Sequence, residues 1–369
     1  MNYADAPVGL DDKANIVLKR WIPNTKADLE ALFRRNRRAV FGMETGTHCR
    51  WVSALCGQCG CEVYVGNAHH LRSIFGNSHK NDMRDAEEIA RLLHGDKRHF
   101  HPVQLRDAEH QNLVQLVKMR EVVVSQRTKS ANAIRGMAKA NGVRLPDSDA
   151  DSLHKKLAAV VDTLPESLQT LLGPQVGLLE KLCAAIEEYD RAIRDYRDAH
   201  FRKECNLLET IPGVGPVNAA AFVAFTGDVT RFRHARDVGP YYGLTAGRDQ
   251  SSSKDEPKKI TKEGNGFVRH LLVNAANLIM QGRGRNTELR QFGLRVWGNR
   301  GKVAKRKAKV ALPRRSRAEQ RNCRGESGAD ERMCVTRSTW RQSHRSSGTQ
   351  SSGTTTTRNG QRAIRTSGR

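Results

Sequence analysis

The spacing of apolar residues first predicts a stretch in which short strands alternate with helices. Strands are predicted at residues 6–10, 15–21, 39–44 and 62–65, and helices after Asn24-Thr25, around 52–55 and over 82–94. This alternation is typical of an α/β domain with a partly parallel sheet, which we place at residues 1–103.

Two long helices are predicted next, over a region that we place at residues 104–204. The helix over 104–141 has an apolar stripe at Leu113, Val117, Val124, Ala131, Ile134 and Ala138. The helix over 175–201 has apolar residues three and four apart, at Leu179, Leu182, Ile186, Tyr189, Ile193 and Tyr196. Such helices form either an antiparallel hairpin or an intermolecular coiled coil.

The end of the chain differs in composition from the rest. Residues 205–312 are predicted to form a mostly helical globular domain. Residues 313–369 contain thirteen arginines, no lysine and four acidic residues, with hardly any large aliphatic side chains. A segment with so few apolar groups cannot offset the entropy lost on ordering, so we expect this tail to be disordered.

Charge indicates the class of partner. The chain has 63 Lys and Arg against 39 Asp and Glu, a net charge of +24, which favours binding to a polyanion, most often nucleic acid. It has neither an apolar run of membrane-helix length nor a signal-peptide core, so we expect a cytoplasmic protein without a membrane partner.

The cluster Cys56, Cys59 and Cys61, beside His48 and Cys49, has no second cysteine pair, so zinc is not predicted.

Four acidic residues stand where a metal site could form. Asp11 follows an apolar strand, Glu44 ends another, and Asp82 and Asp85 lie on one face at the start of a helix. Two Mg²⁺ ions held by such carboxylates would suit phosphodiester chemistry on DNA. The alternative is that Asp82 and Asp85 only complement the helix dipole.

A glycine-containing turn between two helical segments indicates a DNA contact. The sequence Ile-Pro-Gly-Val-Gly-Pro at residues 211–216 is typical of a helix-hairpin-helix, in which Gly213 and Gly215 would let the backbone approach a phosphate. A plain connection between two helices is the alternative.

Serines among basic residues form the last candidate site. Ser251, Ser252 and Ser253 precede Lys254, with Lys258 and Lys262 downstream. The stretch is either an ordinary flexible loop or a loop that presents a nucleophile to a phosphate held by cations.

Over about residues 8–312 the chain resembles the DEDD transposases of bacterial insertion sequences, in the "one-ten" family. The resemblance rests on several motifs in the same order: residues 42–46 (Gly-Met-Glu-Thr-Gly), 80–82 (Lys-Asn-Asp), 85–87 (Asp-Ala-Glu), 211–215, and 251–265 with Arg269 and Leu271.

This resemblance implies a fold and a mechanism. The first domain would be RuvC-like, of the ribonuclease-H type, with Asp11, Glu44, Asp82 and Asp85 binding Mg²⁺. The helical region would be a coiled coil used in assembly of a homo-oligomer, and Ser251 would attack DNA to form a phosphoserine link. A structured guide RNA would pair with double-stranded DNA. The DNA-binding residues would be Gly213, Gly215, Lys254, Lys258, Lys262 and Arg269.

Three features depart from the family pattern. Ser252 and Ser253 stand where the family has glycines, so Ser252 is an alternative nucleophile. The segment between Asp11 and Trp21 is too short for an extra strand. The tail after Leu312 looks like out-of-frame translation, from which we hypothesise a decayed gene copy; an intact reading frame across the Leu312 codon would refute this.

Two other functions fit parts of the sequence. One is a metal-dependent, resolvase-like DNA nuclease without a serine intermediate, which would leave no protein–DNA adduct. The other is a catalytically dead nucleic-acid-binding remnant, which should bind Mg²⁺ weakly.

Overall fold

The computed structural model describes residues 4–68, 71, 81–98, 100–251, 254–281, 286–298 and 301–312. The chain divides into two compact units, Met1–Arg106 and Asp107–Arg369. The tail over 313–369 lies outside the described residues. Taken together, the described part is mostly helical, with small sheets.

In the first unit, short strands alternate with helices, as the sequence predicts. The described strands are β1 (Ala4–Asp5), β2 (Val8–Leu10), β3 (Ile16–Lys19), β4 (Ile22–Pro23), β5 (Val40–Glu44) and β6 (Glu62–Gly66). The described helices are α1 (Lys26–Arg35), α2 (Cys49–Gln58) and α3 (Asp82–Gly95). The predicted elements are confirmed, with bounds shifted by a few residues.

The strands of this unit pair two by two. Strand β1 pairs with β4, and β2 with β3, both antiparallel. Strand β5 runs parallel to β6, from Val40 opposite Glu62 to Glu44 opposite Gly66, which confirms the parallel part of the predicted sheet. No hydrogen-bonded ladder joins β2 to β5 among the described strands, so the single sheet that the sequence predicts is present as separate pairs.

Helix α1 shows how local sequence and burial combine. The Thr25 side chain accepts a hydrogen bond from the Asp28 backbone N–H at 3.1 Å, which satisfies one of the amides left free at the helix start. Apolar residues then recur on one face, and Leu29, Leu32 and Phe33 are buried in a core shared with α2.

Two glycines let α3 and its neighbouring loop pack closely on the β5–β6 pair. A Cβ at Gly42 would lie 2.9 Å from Leu93, and one at Gly66 would lie 2.9 Å from Phe100 and 3.0 Å from Leu71. Phe100 is fully buried. Extra atoms at these positions would force the packed side chains apart.

We therefore expect Gly66→Ala to destabilise the protein by about 1–3 kcal/mol through overpacking. The matched control is Gly57→Ala in α2, where an added Cβ meets no atom within 4 Å. Alanine in a helix is favoured over glycine by roughly 0.5–1 kcal/mol, so the control should stabilise. Urea unfolding measures both free energies, and equal effects of the two substitutions would contradict the described packing.

The second unit is built mainly from helices. Its described helices are α4 (Ala108–Ala140), α5 (Leu153–Ala158), α6 (Glu166–His200), α7 (Arg202–Glu209), α8 (Pro216–Thr226), α9 (Val238–Tyr241), α10 (Gly266–Gln281), α11 (Glu288–Trp297) and α12 (Gly301–Ala311). Short 3₁₀ turns lie at Val161–Thr163, Val229–Arg231 and Ala235–Asp237. Strands β7 (Ala246–Ser251) and β8 (Lys254–Ile260) form an antiparallel hairpin.

The two long helices α4 and α6 pack against each other in opposite directions. Arg120 in the first half of α4 pairs with Asp190 in the second half of α6, with Nε 2.5 Å from Oδ1. Nearer the start of α4, the His110 ring lies 4.5 Å from the ring of Phe201, which follows α6. The antiparallel hairpin, one of the two predicted arrangements, is therefore the one observed.

Helix α6 begins nine residues before the predicted start at Gln175, so it contains Pro174. Proline lacks an amide hydrogen and is disfavoured in helix interiors, so Pro174 by itself indicates a helix boundary. Burial overrides that preference here, because Leu168 and Leu172 of the added turns pack in a core with Leu153 and Leu157.

Helix α8 forms the centre of the second unit. Seven of its eleven residues are buried, and six of them, including the run Ala219–Ala220–Ala221, share a core with residues of α4, α6, α7 and α10. Small residues let these helices approach closely. No helix in the described part of the chain combines the length and apolar character needed to cross a membrane.

Candidate functional site

Asp11 lies in the tight turn between β2 and β3. Its Oδ1 accepts hydrogen bonds from the backbone N–H groups of Lys13 at 2.9 Å and Asn15 at 2.8 Å, and its Oδ2 accepts one from Asn15 Nδ2 at 3.1 Å. Ala14 in the same turn has a φ of +63°, a left-handed conformation that non-glycine residues rarely adopt. The carboxylate therefore organises its own turn.

The hydrogen bonds from Asn15 hold the pKa of Asp11 below its ordinary value, with smaller contributions from the Lys13 amide and from His94. Because the folded-state pKa is lowered, this contribution to stability is fully present above the unfolded-state pKa. It is lost as pH falls through the folded-state pKa.

We expect Asn15→Ala to raise the pKa of Asp11 toward its ordinary value, because the side-chain hydrogen bond is lost while the backbone one remains. NMR titration of the Asp11 carboxyl carbon measures the shift. The control is Asn36→Ala, because Asn36 Nδ2 donates to the Leu32 carbonyl and not to a carboxylate. An Asp11 pKa that does not move in the Asn15 variant would contradict the turn geometry.

Asp82 and Asp85 lie together in the first turn of α3, as predicted. Asn81 caps this helix, since its Oδ1 accepts from the backbone N–H groups of Met83 at 3.1 Å and Arg84 at 3.3 Å. Negative charge in a first turn also complements the helix dipole. Their position in the first turn is that of acids which complement a helix dipole.

Glu44 is the exposed last residue of β5, opposite Gly66 of β6. The adjoining Thr45 connects the ends of both strands: its N–H donates to the Gly66 carbonyl at 2.9 Å, and its Oγ1 accepts from the Ala68 N–H at 3.1 Å. The strand end that carries Glu44 is thus well defined.

The four acids do not converge in this arrangement. The β2–β3 hairpin lies along α3, with Lys19 Nζ 2.9 Å from Glu87 Oε2 and its turn near Arg91, whose Nη1 donates to the Ala14 carbonyl at 3.4 Å. The Asp11 turn lies beside the end of α3 that contains His94, which helps to lower the pKa of Asp11. Asp82 lies in the first turn of the same helix, about 18 Å from His94 along the helix axis at 1.5 Å per residue. No three His, Cys, Asp or Glu residues in the described ranges lie close enough to hold a metal ion.

In this arrangement the four acids are not assembled into a Mg²⁺ site, and we derive no chemical step through a metal. The assignment of these residues as metal ligands stays a prediction from the family resemblance.

The cysteine cluster is part of the core of the first unit. Burial, with smaller contributions from Cys61 and Cys59, raises the pKa of Cys56 to about 12, so its thiol is neutral at physiological pH. The buried Cys61 thiol lies 3.4 Å from the Phe33 carbonyl oxygen. Cys56 and Cys61 are therefore packed side chains of this core.

The predicted glycine-containing turn joins α7 to α8, and its two glycines have different surroundings. Gly213 has a φ of +84°, and a Cβ there would lie 2.9 Å from the Ala275 carbonyl oxygen of α10. Gly215 caps the N-terminus of α8, and a Cβ there would meet no atom within 4 Å. Gly213 thus serves packing, whereas space beside the amides at the start of α8 is open at Gly215.

The described residues on either side of the serine cluster form a strand pair. In the β7–β8 hairpin, Ser251 lies opposite Lys254, so Ser251 ends β7 at the tip. On the strands below, Lys258 Nζ lies 2.6 Å from Asp249 Oδ2. Ser252, Ser253 and the side chains of Ser251 and Lys254 lie outside the described part.

Sequence reasoning missed the contacts at the base of this hairpin. Arg269, predicted to bind DNA, donates from Nη1 to the carbonyl oxygens of Tyr242 at 2.9 Å and Glu263 at 3.0 Å. The available signal was a pair of glycines, Gly243 and Gly264, that bracket the hairpin in the sequence.

Two family models match the chain. A model described as a transposase, of the DEDD and IS110 type, matches residues 6–140. A second, described as the transposase IS116/IS110/IS902 family, matches residues 205–292. The matches fall in chain order and together cover more than half of the sequence. The chain belongs to the IS110 family of transposases.

Curated relatives agree with this assignment. The transposase is 28% identical over 251 residues to the transposase for insertion sequence element IS1111A of Coxiella burnetii, covering 67% of each chain. It is also 28% identical over 244 residues to the transposase for insertion sequence element IS1328 of Yersinia enterocolitica, covering 66% of this chain and 71% of that one.

The first matched region of the transposase contains Asp11, Glu44, Asp82 and Asp85, and the second contains the α7–α8 turn and Ser251. Each candidate site therefore lies in a region for which a family model accounts.

Proposed function

We propose that this transposase cleaves and rejoins DNA strands to move an insertion sequence. The observation that carries the proposal is the match of two transposase models, in order, to a region that begins in the first unit and to a region of the second. The net charge of +24 supports a polyanionic partner, and double-stranded DNA is the partner that transposition requires.

In the proposed reaction, Ser251 is the nucleophile. Its Oγ attacks a phosphorus atom of the DNA backbone, a phosphoserine ester forms, and one strand end leaves as a hydroxyl that takes up the serine proton. The hydroxyl of a second strand end then attacks the same phosphorus, which joins DNA to DNA and returns the proton to the serine. One phosphoester replaces another in each step, so no further reactant is needed.

The position of Ser251 supports this role. It ends a strand at the tip of a hairpin, opposite Lys254, and the following strand contains Lys258 and Lys259. Cations around a phosphate stabilise the negative charge that develops during attack.

DNA contacts are proposed at the open N-terminus of α8, near Gly215, and at Lys254, Lys258 and Lys262. Backbone amides at a helix start bind phosphate without reading sequence.

We further propose that residues 1–103 form a RuvC-like domain, which the strand–helix order and the parallel β5–β6 pair support.

A guide RNA and a homo-oligomer complete the proposal and derive from the family resemblance. RNA that copurifies with the transposase should map to a structured non-coding segment beside the gene. Copurified RNA of random genomic origin would count against guidance.

The proposed function is tested with a plasmid that carries the gene and its native flanking DNA. Expression in bacteria should produce new DNA junctions at the element ends, detected by sequencing across them. An absence of junctions, in cells that contain the folded protein, would overturn the proposal.

A second candidate function is a nucleic-acid-binding protein without catalytic activity. It is favoured by the observation that no three acids in the described part approach closely enough to hold a metal ion. DNA binding without junctions in the plasmid assay, together with weak Mg²⁺ binding by calorimetry, would select it.

A further inference from the structure

The β7–β8 hairpin is joined to the rest of its unit by two short backbone segments, residues 241–243 and 262–264, which we call the hairpin joint. The segments are hydrogen bonded to each other, since the Lys262 N–H donates to the Gly243 carbonyl at 3.1 Å. Just beyond them, the Thr261 N–H donates to the Thr245 carbonyl at 2.9 Å. The joint therefore fixes where the hairpin begins.

Close backbone contact requires the two glycines of the joint. Gly243 has a φ of +63°, and a Cβ there would overlap the backbone of Glu263. Gly264 has a φ of +75°, and a Cβ there would overlap the Tyr241 carbonyl oxygen. The obstructing atoms belong to the backbone and not to a flexible side chain, so a larger residue must displace one segment from the other.

Arg269, in the first turns of α10, connects the two segments. Its Nη1 donates to the Tyr242 carbonyl at 2.9 Å on one side and to the Glu263 carbonyl at 3.0 Å on the other. The two hydrogens of this nitrogen are thereby used within the protein. Hydrogen bonds from a charged donor are stronger than neutral ones, so a single side chain holds both segments.

The joint is in turn anchored to the core. The Tyr242 side chain is fully buried, and its hydroxyl shares a hydrogen bond of 2.7 Å with Oγ1 of the buried Thr226 in α8. Groups held by packing and by a second layer of hydrogen bonds keep a fixed geometry. The base of the hairpin is therefore continuous with the most buried part of the second unit.

We propose that Arg269, together with Gly243 and Gly264, is a positioning residue that fixes the direction of the β7–β8 hairpin and so places Ser251 for attack. This inference rests on the proposed function, in which Ser251 is the nucleophile. It replaces the sequence-based expectation that Arg269 binds a DNA phosphate.

Three variants of the full-length chain test the proposal. Arg269→Gln removes the connecting guanidinium, Arg269→Lys keeps the charge but not the planar donor, and Gly243→Ala alters the joint without changing charge. Arg194→Gln on the exposed surface of α6 is the control for loss of an arginine. Circular dichroism confirms that each variant is folded.

Hydrogen exchange measures the joint independently of activity. We expect the amides of Thr261 and Lys262 to exchange faster in the Arg269→Gln and Gly243→Ala variants, while the amides of α8 are unchanged. Arg269→Lys should show a smaller increase. Unchanged exchange at Thr261 and Lys262 in both variants would overturn the proposal.

DNA binding and strand joining separate positioning from phosphate contact. With a short random-sequence duplex, we expect the same salt dependence of DNA affinity for all variants, because none of them removes a phosphate contact. Loss of one phosphate contact would lower the slope of log affinity against log salt concentration by about one. Strand joining should fall about a hundredfold in Arg269→Gln and Gly243→Ala, the cost of a misplaced reacting group of order 1 Å. The Arg194→Gln control should join normally.

A lowered salt slope confined to the Arg269 variants, with normal joining by Gly243→Ala, would show that Arg269 contacts phosphate and would overturn the positioning role. If the unaltered protein joins no strands, the proposed function fails, and hydrogen exchange still decides whether Arg269 holds the hairpin.

Discussion

Replacing Ser251 by alanine should abolish strand joining, with a loss of at least about a thousandfold, while binding to duplex DNA stays within about twofold of the unaltered protein. The hydroxyl oxygen is the atom that bonds to phosphorus, and alanine has none. The added cost to the fold should be small, because Ser251 lies at a hairpin tip. Quantitative sequencing of plasmid junctions measures the joining rate.

Ser252→Ala and Ser253→Ala are the matched controls, since they remove the same group one and two residues away. Both should retain most of the joining activity. Loss of activity in Ser252→Ala with normal activity in Ser251→Ala would move the nucleophile by one position. Normal joining by Ser251→Ala and also by Ser252→Ala would contradict a serine mechanism at this hairpin.

The second large effect is expected at Asp11. Asp11→Asn should reduce strand joining by about a thousandfold or more, because the family resemblance implies that the Asp11 carboxylate takes part in the reaction. The variant is chosen because asparagine keeps an oxygen that can accept from the Lys13 and Asn15 backbone N–H groups. The turn should therefore survive, and the melting temperature should change by only a few degrees.

Asp12→Asn is the control for this substitution, because Asp12 is exposed in the same turn. It should join strands normally. A role for Asp11 in the turn alone predicts that Asp11→Asn also joins normally, and that result would contradict the role that the family resemblance implies for Asp11. Mg²⁺ titration calorimetry of Asp11→Asn tests separately whether this residue contributes to metal binding.

The sequence predicted the helices whose formation depends on capping residues and on the spacing of apolar residues. Helix α1 follows from its Thr25 cap and its apolar face. The apolar stripes of α4 and α6 predicted two long helices, with the observed antiparallel hairpin as one of two arrangements. Helix α6 began earlier than predicted, because burial of Leu168 and Leu172 outweighed the effect of Pro174. Tertiary packing of this kind cannot be read from one segment at a time.

The candidate sites depended on contacts between segments, and these were less predictable. The acid pair at the start of α3 follows from helical spacing, whereas the position of the Asp11 turn beside the other half of α3 depends on how a hairpin packs. The role of Arg269 was not predicted from the sequence, because its acceptors are backbone carbonyls, one of them in Tyr242 on the far side of the β7–β8 hairpin. In a basic protein, the sequence alone makes any arginine a candidate DNA-binding residue.

Mass spectrometry of the protein, denatured during its reaction with the plasmid so that the phosphoserine link is trapped before joining and then treated with nuclease, tests the central claim most directly. Trypsin cuts after Arg248 and Lys254, so one peptide of residues 249–254 contains all three serines. We predict that this peptide carries a covalently attached nucleotide, located by fragmentation on Ser251. Cleaved plasmid with no nucleotide attached to any peptide would contradict the account and would indicate a hydrolytic nuclease.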